Sequence, residues 1–292
     1  MLQKNVADME CVADVGAILG EGPVWVAAEQ ALYWVDIVGG KLFRWNEGAG
    51  AAQIAIDRPL CSIVPRLGGG YLGGAARGIV AIAADFGMTH IVDPEPDVPG
   101  NRFNDGKVDR AGRFWAGTMD AQEQGASGSL YRLNLDLTCK RIDSGYTVTN
   151  GPAFSCDGRT MYHTDSGRQT VYAFDLDAQG NASNRRAFAQ FGAGDGYPDG
   201  MTVDADGCLW IAFWDGWCVR RLSPQGDCLR KIQVPVQRPT SCAFGGELLD
   251  ELYITSARHD LGAAELEQQP QAGGECRCRP GVTGLAEVPL AG

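Results

Sequence analysis

Short apolar stretches alternate with glycine-containing turns along the chain, and one such unit recurs. Residues 102–120 (RFNDGKVDRAGRFWAGTMD), 149–165 (TNGPAFSCDGRTMYHTD) and 197–215 (YPDGMTVDADGCLWIAFWD) share one layout. Each begins near an Asn-Gly or Asp-Gly step, reaches a second glycine-containing turn about seven residues later, and then enters a strand rich in aromatic residues. Spaced copies of one unit predict a repeat architecture.

The spacing of the units predicts a β-propeller. Their starting residues are roughly 40 to 50 residues apart, the period of a four-stranded propeller blade. These residues are Glu21, Cys61, Asn104, Asn150, Asp199 and Thr240. Only residues 261–269 have a helical pattern, and it is short, so a parallel α/β sheet is disfavoured. We therefore predict an all-β fold, with residues 1–292 forming a single domain, a six-bladed β-propeller of four-stranded blades.

Closure of the ring is predicted from the two ends of the chain. The strand-like residues 11–17 and the segment after Gly274 would share one blade, since an open ring would leave unpaired strand edges. The Gly-His and Trp-Asp signature of WD repeats is missing. The sequence LYWVD at residues 32–36 is similar to the YWTD signature of six-bladed receptor propellers, but it occurs once.

Charge and composition narrow the classes of function. The net charge is −11 and the pI is about 4.7, which argues against nucleic acid or an anionic membrane as a partner. Residues 1–20 lack the pattern of a signal peptide, and no apolar stretch is long enough to span a bilayer, so a cytoplasmic protein is expected. The ten cysteines include no CxxC pair and are interpreted as small buried hydrophobic residues. Cys276 and Cys278, which would face one side of a strand, hint weakly at metal or oxidation chemistry.

Polar residues at the starts of the units form the candidate site. The first strand of each propeller blade lines the central channel, so Glu21, Asn104, Asn150 and Asp199 would converge, with Arg102 beside Asn104. Two buried carboxylates are costly unless a cation neutralises them, and an all-oxygen set suits a hard or borderline divalent ion. Asn150 and Asp199 also belong to turn dipeptides, and Arg102 could instead form a surface salt bridge. Asp105 and Gly106 are interpreted as setting the backbone turn.

Five motifs in order resemble one family. GEGPVW, RFNDGKVDRAGRFWAGTM, TNGPAFSCDGRTMYHTDS, YPDGMTVDADGCLW and ITSAR, between residues 19 and 258, are similar to the gluconolactonase and regucalcin (senescence marker protein) family. TDSG and YHTD resemble its bacterial sugar-lactonase branch. The resemblance implies a six-bladed propeller that binds one divalent metal and hydrolyses a sugar lactone, its small-molecule partner, to the aldonic acid. Calcium is favoured, and zinc, manganese, magnesium or iron(II) also fit.

The same resemblance assigns roles to residues. It implies metal ligands at Glu21, Asn150 and Asp199, with Asp199 also the catalytic acid or base, and substrate contacts at Arg102 and Asn104. The metal would polarise the lactone carbonyl while Asp199 assists proton transfer.

Two segments depart from the family pattern. Where relatives have consecutive glutamates after GTM, this chain has Asp120, Ala121 and Gln122, so a substrate-facing carboxylate is either absent or supplied by Asp120. The last strand, within residues 275–281 (ECRCRPG), replaces an apolar stretch, so a looser closing blade is expected.

The same residues leave two other functions open. A non-enzymatic calcium-binding propeller is the alternative to the lactonase, and an esterase side activity is a third. The chain has no Gly-x-Ser-x-Gly elbow and no HExxH motif. His163 is interpreted as a hydrogen-bonded packing residue in a strand, and His259 as a loop residue close enough to reach the channel.

Overall fold

The computed structural model describes residues 8–291, and its strands form six four-stranded antiparallel sheets arranged as a six-bladed β-propeller. The predicted fold is confirmed. The signal-peptide expectation for residues 1–20 falls partly on residues 1–7, which lie outside the described residues. Between residues 8 and 291, no helix has the length and apolarity that a membrane crossing requires.

The strands of each blade run from the channel to the outer edge. The innermost strands are β2 (Gly20–Val26), β6 (Val64–Pro65), β10 (Asn101–Val108), β14 (Thr149–Phe154), β18 (Tyr197–Val203) and β22 (Pro239–Gly245). The second strands are β3 (Ala31–Asp36), β7 (Tyr71–Gly74), β11 (Phe114–Asp120), β15 (Thr160–Asp165), β19 (Leu209–Trp214) and β23 (Glu251–Ser256). The third strands are β4 (Lys41–Asn46), β8 (Ile79–Ile82), β12 (Gly128–Leu133), β16 (Thr170–Leu176), β20 (Cys218–Leu222) and β24 (Glu275–Cys278). The outermost strands are β5 (Gly50–Ile54), β9 (Met88–Val92), β13 (Cys139–Tyr146), β17 (Ala182–Gln190), β21 (Cys228–Gln233) and β1 (Glu10–Ala13).

The ring closes as predicted. The sheet that contains β22, β23 and β24 takes β1 as its outer strand, so the two ends of the described chain share one blade. The predicted short helix is also confirmed as α1 (Ala263–Gln268). Two single turns of 3-10 helix connect strands within blades. Ala27–Glu29 links β2 to β3, and Ser166–Arg168 links β15 to β16.

A repeated aspartate fixes the turn between the first two strands of two blades. Asp109 accepts a hydrogen bond from the indole Nε1 of Trp115 at 2.8 Å, and Asp204 does the same for Trp210 at 2.8 Å. Both carboxylates also accept hydrogen bonds from amides of their own turns. Because both indoles are fully buried, each needs such a partner for its N–H. The D-x-x-G-x-x-W pattern therefore sets the hairpin and orients a core tryptophan.

One sequence interpretation of the second blade is wrong. The sequence of residues 61–83 predicts a hairpin turn at each of its two glycine runs. Residues 68–70 do lie in the turn between β6 and β7, but Gly73 and Gly74 lie in strand β7, and residues 75–78 make the next turn. A Cβ atom at either glycine would come too close to Ser62, which precedes strand β6. Glycine is needed there because the two backbones approach closely.

Candidate functional site

Irregular pairing at the channel marks the candidate site. The register between first and second strands shifts after Glu21, between Phe103 and Gly106, after Asn150 and after Pro198. β-bulges bend a strand and redirect side chains, and they are enriched beside active sites. The predicted residues Glu21, Asn104, Asn150 and Asp199 lie in or next to these irregularities.

A chain of hydrogen bonds joins three predicted residues across two blades. Arg102 Nη1 donates to Asn104 Oδ1 at 2.6 Å, and Asn104 Nδ2 donates to Asn150 Oδ1 at 3.0 Å. Asn104 Nδ2 also donates to the Thr149 carbonyl at 2.7 Å, and Asn150 Nδ2 donates to Ser166 Oγ at 2.9 Å. Both carboxamides are therefore held in one orientation. The structure brings Arg102, Asn104 and Asn150 together as the sequence predicted.

Glu21 and Asp199 are buried acids that affect each other electrostatically. They are 5% and 6% exposed, and burial raises the pKa of Glu21 to about 8, with the Asp105 carboxylate adding to the effect. Burial, followed by the charges of Glu21 and Asp105, holds the pKa of Asp199 well above its usual value. Glu21 Oε2 accepts a hydrogen bond from the Gly22 amide at 3.1 Å. Asp199 Oδ1 is buried and has no hydrogen-bond partner.

Asp105 and Lys107 belong to the same buried group, although sequence reasoning assigned Asp105 to a backbone turn. Asp105 lies inside strand β10, where its oxygens accept hydrogen bonds from the Gly106 amide at 2.7 Å and the Gly151 amide at 2.9 Å. The second bond crosses to the blade that carries Asn150. Lys107 Nζ donates to the Met201 carbonyl at 2.8 Å and offsets the charges of Glu21 and Asp105.

The residues present fit a divalent cation. Across residues 8–291, no three His, Cys, Asp or Glu side chains are grouped as a metal site, but the predicted set contains two carboxylates and one amide oxygen. Buried like charges are costly. Asp199 Oδ1 is buried without a hydrogen-bond partner, so nothing compensates for its loss of solvation. A hard or borderline cation would meet it.

Asp120 organises the segment after β11. The oxygens of Asp120 accept hydrogen bonds from the amides of Gln122, Gln124 and Gly125 at 3.0 to 3.1 Å, so Asp120 organises this loop, and its role as a substrate contact stays a prediction. Glu123, which has a left-handed backbone with φ of 55°, contributes to the raised pKa of Asp199. Sequence reasoning missed Glu123 because its approach depends on the loop conformation.

In the second blade, the residue next to the candidate site is Cys61. Its thiol is buried next to Arg102, and burial raises the pKa of Cys61 to about 11. The repeat spacing predicts that a unit starts at Cys61, but the sequence assigns no catalytic or binding role to a cysteine at this position.

Neither of the two histidines singled out from the sequence is part of the hydrogen-bonded group described above. His163 is fully buried against the edge of Tyr146, so the predicted packing role is confirmed, and burial lowers the pKa of its imidazole to about 3. The predicted hydrogen bonding is wrong, because neither ring nitrogen has a hydrogen-bond partner among residues 8–291. His259 lies in the loop after β23, with its ring 6.5 Å from that of Trp214.

Comparison with known proteins gives consistent matches over nearly the whole chain. The family model described as SMP-30/Gluconolactonase/LRE-like region matches residues 19–258. Regucalcin of Gallus gallus is 38% identical over 294 residues, with 97% of this chain and 98% of that protein covered. The 6-deoxy-6-sulfogluconolactonase of Pseudomonas putida is 38% identical over 287 residues, with 97% and 99% covered. A structure of the calcium-binding protein regucalcin from Agrobacterium tumefaciens superposes with a TM-score of 0.92 at 26% identity, with 97% of each chain covered.

Proposed function

Because the chain belongs to the SMP-30/gluconolactonase/LRE-like family, we propose that it is an enzyme, a sugar lactonase that hydrolyses an aldonolactone to the aldonic acid. One observation carries the proposal. Buried acids from different blades, one with an unpartnered oxygen, lie in the same group as the fixed pair Arg102–Asn104. A carboxylate that can move a proton, next to donors that can hold hydroxyl groups, is what hydrolysis of a polyhydroxylated ester requires.

We propose Glu21, Asn150 and Asp199 as the residues that would hold one divalent cation, with calcium favoured by the all-oxygen set. When bound, such a cation makes a carbonyl more electrophilic and lowers the pKa of nearby water. The amide oxygen of Asn150 is oriented for this role by its contacts to Asn104 and Ser166.

Asp199 is proposed to move the proton in both halves of the reaction. As a base, it accepts a proton from the water whose oxygen adds to the lactone carbonyl carbon. As an acid, it returns that proton to the ring oxygen when the carbonyl carbon–ring oxygen bond breaks, leaving a carboxylic acid and a hydroxyl group. Its Oδ1 has no hydrogen-bond partner in the described structure, so one carboxylate oxygen can face the cation while the other exchanges the proton.

Arg102 and Asn104 are proposed to orient the substrate. A guanidinium has five N–H donors, and Arg102 uses Nη1 for Asn104 and for the Phe103 carbonyl at 2.9 Å. The remaining donors suit the hydroxyl groups of a sugar lactone. Because the side chain is already tied to Asn104, little conformational freedom is lost on binding.

The test is an assay of acid release from a panel of lactones. The panel contains five- and six-membered neutral aldonolactones and one aldonolactone with a sulfonate at C6. Calcium, zinc, manganese, magnesium and iron(II) are each added back after chelation. We expect the wild type to accelerate opening above the spontaneous rate with at least one metal, and Asp199→Asn to lose at least about 100-fold in kcat/KM, the usual minimum contribution of a positioned acid or base.

The control is Asp175→Asn, which changes an exposed carboxylate on strand β16 that is paired with Arg186. It should retain wild-type kcat/KM, and circular dichroism should show both variants folded. Metal binding without acceleration on any lactone would contradict the lactonase and favour the non-enzymatic calcium-binding alternative. The Agrobacterium tumefaciens structure is of a calcium-binding protein.

A further inference from the structure

Two cysteines from opposite ends of the described chain lie directly opposite each other in the closing blade. Strand β1 pairs antiparallel with β24 in the register Glu10 to Arg277, Cys11 to Cys276 and Ala13 to Glu275. Residues directly opposite in an antiparallel pair have Cα atoms about 4.5–5.5 Å apart. That spacing lies within the range of about 4.4–6.8 Å that a disulfide spans.

The two sulfur atoms also differ in their surroundings. The side chains of Cys11 and Cys276 share a hydrogen bond. Cys11 is half-buried, whereas Cys276 is only 1% exposed. The hydrogen bond lowers the pKa of Cys11 against the opposing effect of burial, and the same bond together with burial raises the pKa of Cys276. Cys11 is thus the thiol that a reagent reaches and the one that more readily ionises.

We propose that Cys11 and Cys276 form a redox modification site, at which a disulfide joins the first strand of the ring to the last. A metal site at these thiols is disfavoured, since residues 8–291 hold no group of three or more His, Cys, Asp or Glu arranged for one. The feature that separates this pair from the other cysteines is its register: Cys228, for comparison, lies opposite Leu222.

The oxidant would be a low-molecular-weight disulfide. The Cys11 thiolate attacks one of its sulfur atoms, the disulfide bond breaks, and one small thiol leaves. Cys276 then attacks the Cys11 sulfur of the mixed disulfide and releases the second small thiol. Two protein thiols are oxidised to one disulfide, the reagent is reduced to two thiols, and the two protons of the protein thiols are taken up by the leaving groups.

The consequence would be a covalently closed ring. β1 is the outermost strand of its blade, whereas the candidate site lies on the innermost strands, so the disulfide would add stability without altering the site. A disulfide that closes a long loop restricts the unfolded chain. We therefore expect the oxidised protein to melt about 5–10 °C higher than the reduced protein.

The experiment compares the full-length protein after glutathione disulfide and after tris(carboxyethyl)phosphine. We expect a mass loss of about 2 Da on oxidation, a Cys11–Cys276 cross-linked peptide in a non-reducing digest, and the higher melting temperature. Cys11→Ser and Cys276→Ala should lose the cross-link and the shift. Cys228→Ser, at an exposed cysteine on strand β21, should retain both.

Three results would overturn the proposal. They are a stable glutathione adduct on Cys11, a cross-link between Cys11 and a different cysteine, and a Cys11–Cys276 cross-link that leaves the melting temperature unchanged. Because Cys11 is half-buried and its replacement by serine is small, that variant is expected to fold even if Cys276→Ala does not. None of these measurements depends on lactone hydrolysis.

Discussion

Single buried charges in this propeller fall into two kinds, those with partners and those without. Asp105 is buried but accepts hydrogen bonds from two backbone amides, and Lys107 lies near enough to lower its pKa against the effect of burial. Glu275 on strand β24 is also fully buried, but neither of its carboxylate oxygens has a hydrogen-bond partner. Asp105 joins two blades at the candidate site, whereas the Ile254 amide lowers the pKa of Glu275 by less than burial raises it.

Glu275→Gln should stabilise the protein at neutral pH. Burial, together with the charge of Cys11, holds the pKa of Glu275 well above its ordinary value of 4.5. Because the pKa of Glu275 is higher in the folded state, the folded state binds a proton more tightly than the unfolded state. Stability is therefore lost as pH rises from about 4.5 toward the folded pKa. Chemical denaturation should show the variant more stable than wild type by about 1–3 kcal/mol at pH 8.

The sign of the Glu275 effect is checked by repeating the titration at pH 4. There both states of the wild type are largely protonated, so its difference from Glu275→Gln should nearly vanish. A constant difference at both pH values would mean that the glutamine acts through packing rather than through charge. Glu247→Gln, at an exposed glutamate in the turn after β22, is the control and should leave stability unchanged at either pH.

At the scale of the strand, the sequence predicts where the innermost strands lie but not where they bulge. The repeat unit located five of the six innermost strands because its polar start and following aromatic strand are visible in sequence. The bulges depend on pairing with a neighbouring strand, which one sequence does not show. Asp105 was therefore assigned to a turn, since Asp-Gly is a turn dipeptide, although the structure uses it inside strand β10. Glu123 was missed for a similar reason, because it approaches Asp199 only through the loop that Asp120 organises.

Gly200→Ala should disrupt the packing between innermost strands. A Cβ atom at Gly200 would overlap the side chain of Ser241 on the neighbouring strand β22. Relief requires that strand β18 shift, and with it Asp199. Overpacking of this kind costs about 1–3 kcal/mol, and a displaced catalytic group costs activity. We expect both the midpoint of denaturation and kcat/KM on the best lactone to fall.

The pair Gly200→Ala and Ser241→Gly tests this contact directly. If the overlap is the cause, adding Ser241→Gly should restore most of the lost stability, so that the double-mutant cycle gives a favourable coupling energy. Gly68→Ala is the matched control, since a Cβ atom at Gly68 would have open space around it. Additive effects of the two substitutions would rule out the direct contact.

Over the whole molecule, the closing blade holds the ring through more than its β-sheet pairing. Arg277 on strand β24 forms ion pairs with Glu10 at 2.7 Å, Glu47 at 2.6 Å and Glu251 at 3.3 Å. These carboxylates belong to β1, to the first blade and to β23. The guanidinium also lies over the ring of Trp45 in the first blade, 5.4 Å from its centroid. Residues 275–281 are predicted to make the closing blade looser, yet they contain Arg277, which links β1, β23 and the first blade.

Arg277→Met should destabilise the whole propeller. The arginine side chain is 15% exposed and Glu251 is 9% exposed, so its removal leaves a largely buried carboxylate with fewer cationic partners. Methionine retains apolar contact with Trp45 but none of the charge. We expect a loss of about 2–3 kcal/mol, measured by chemical denaturation. If residues 1–292 form one domain, as we propose, the loss should appear in a single cooperative transition.

Arg279→Met provides the comparison, because Arg279 is a neighbouring arginine that also pairs with Glu251, at 2.6 Å, but is 71% exposed. Exposed ion pairs contribute about 0–1 kcal/mol, so this variant should stay within about 1 kcal/mol of wild type. Equal losses for the two variants would place the stabilisation in the charge of Glu251 alone. A larger loss for Arg277→Met places it in the link between the last blade and the first, because only Arg277 reaches both Glu47 and Trp45.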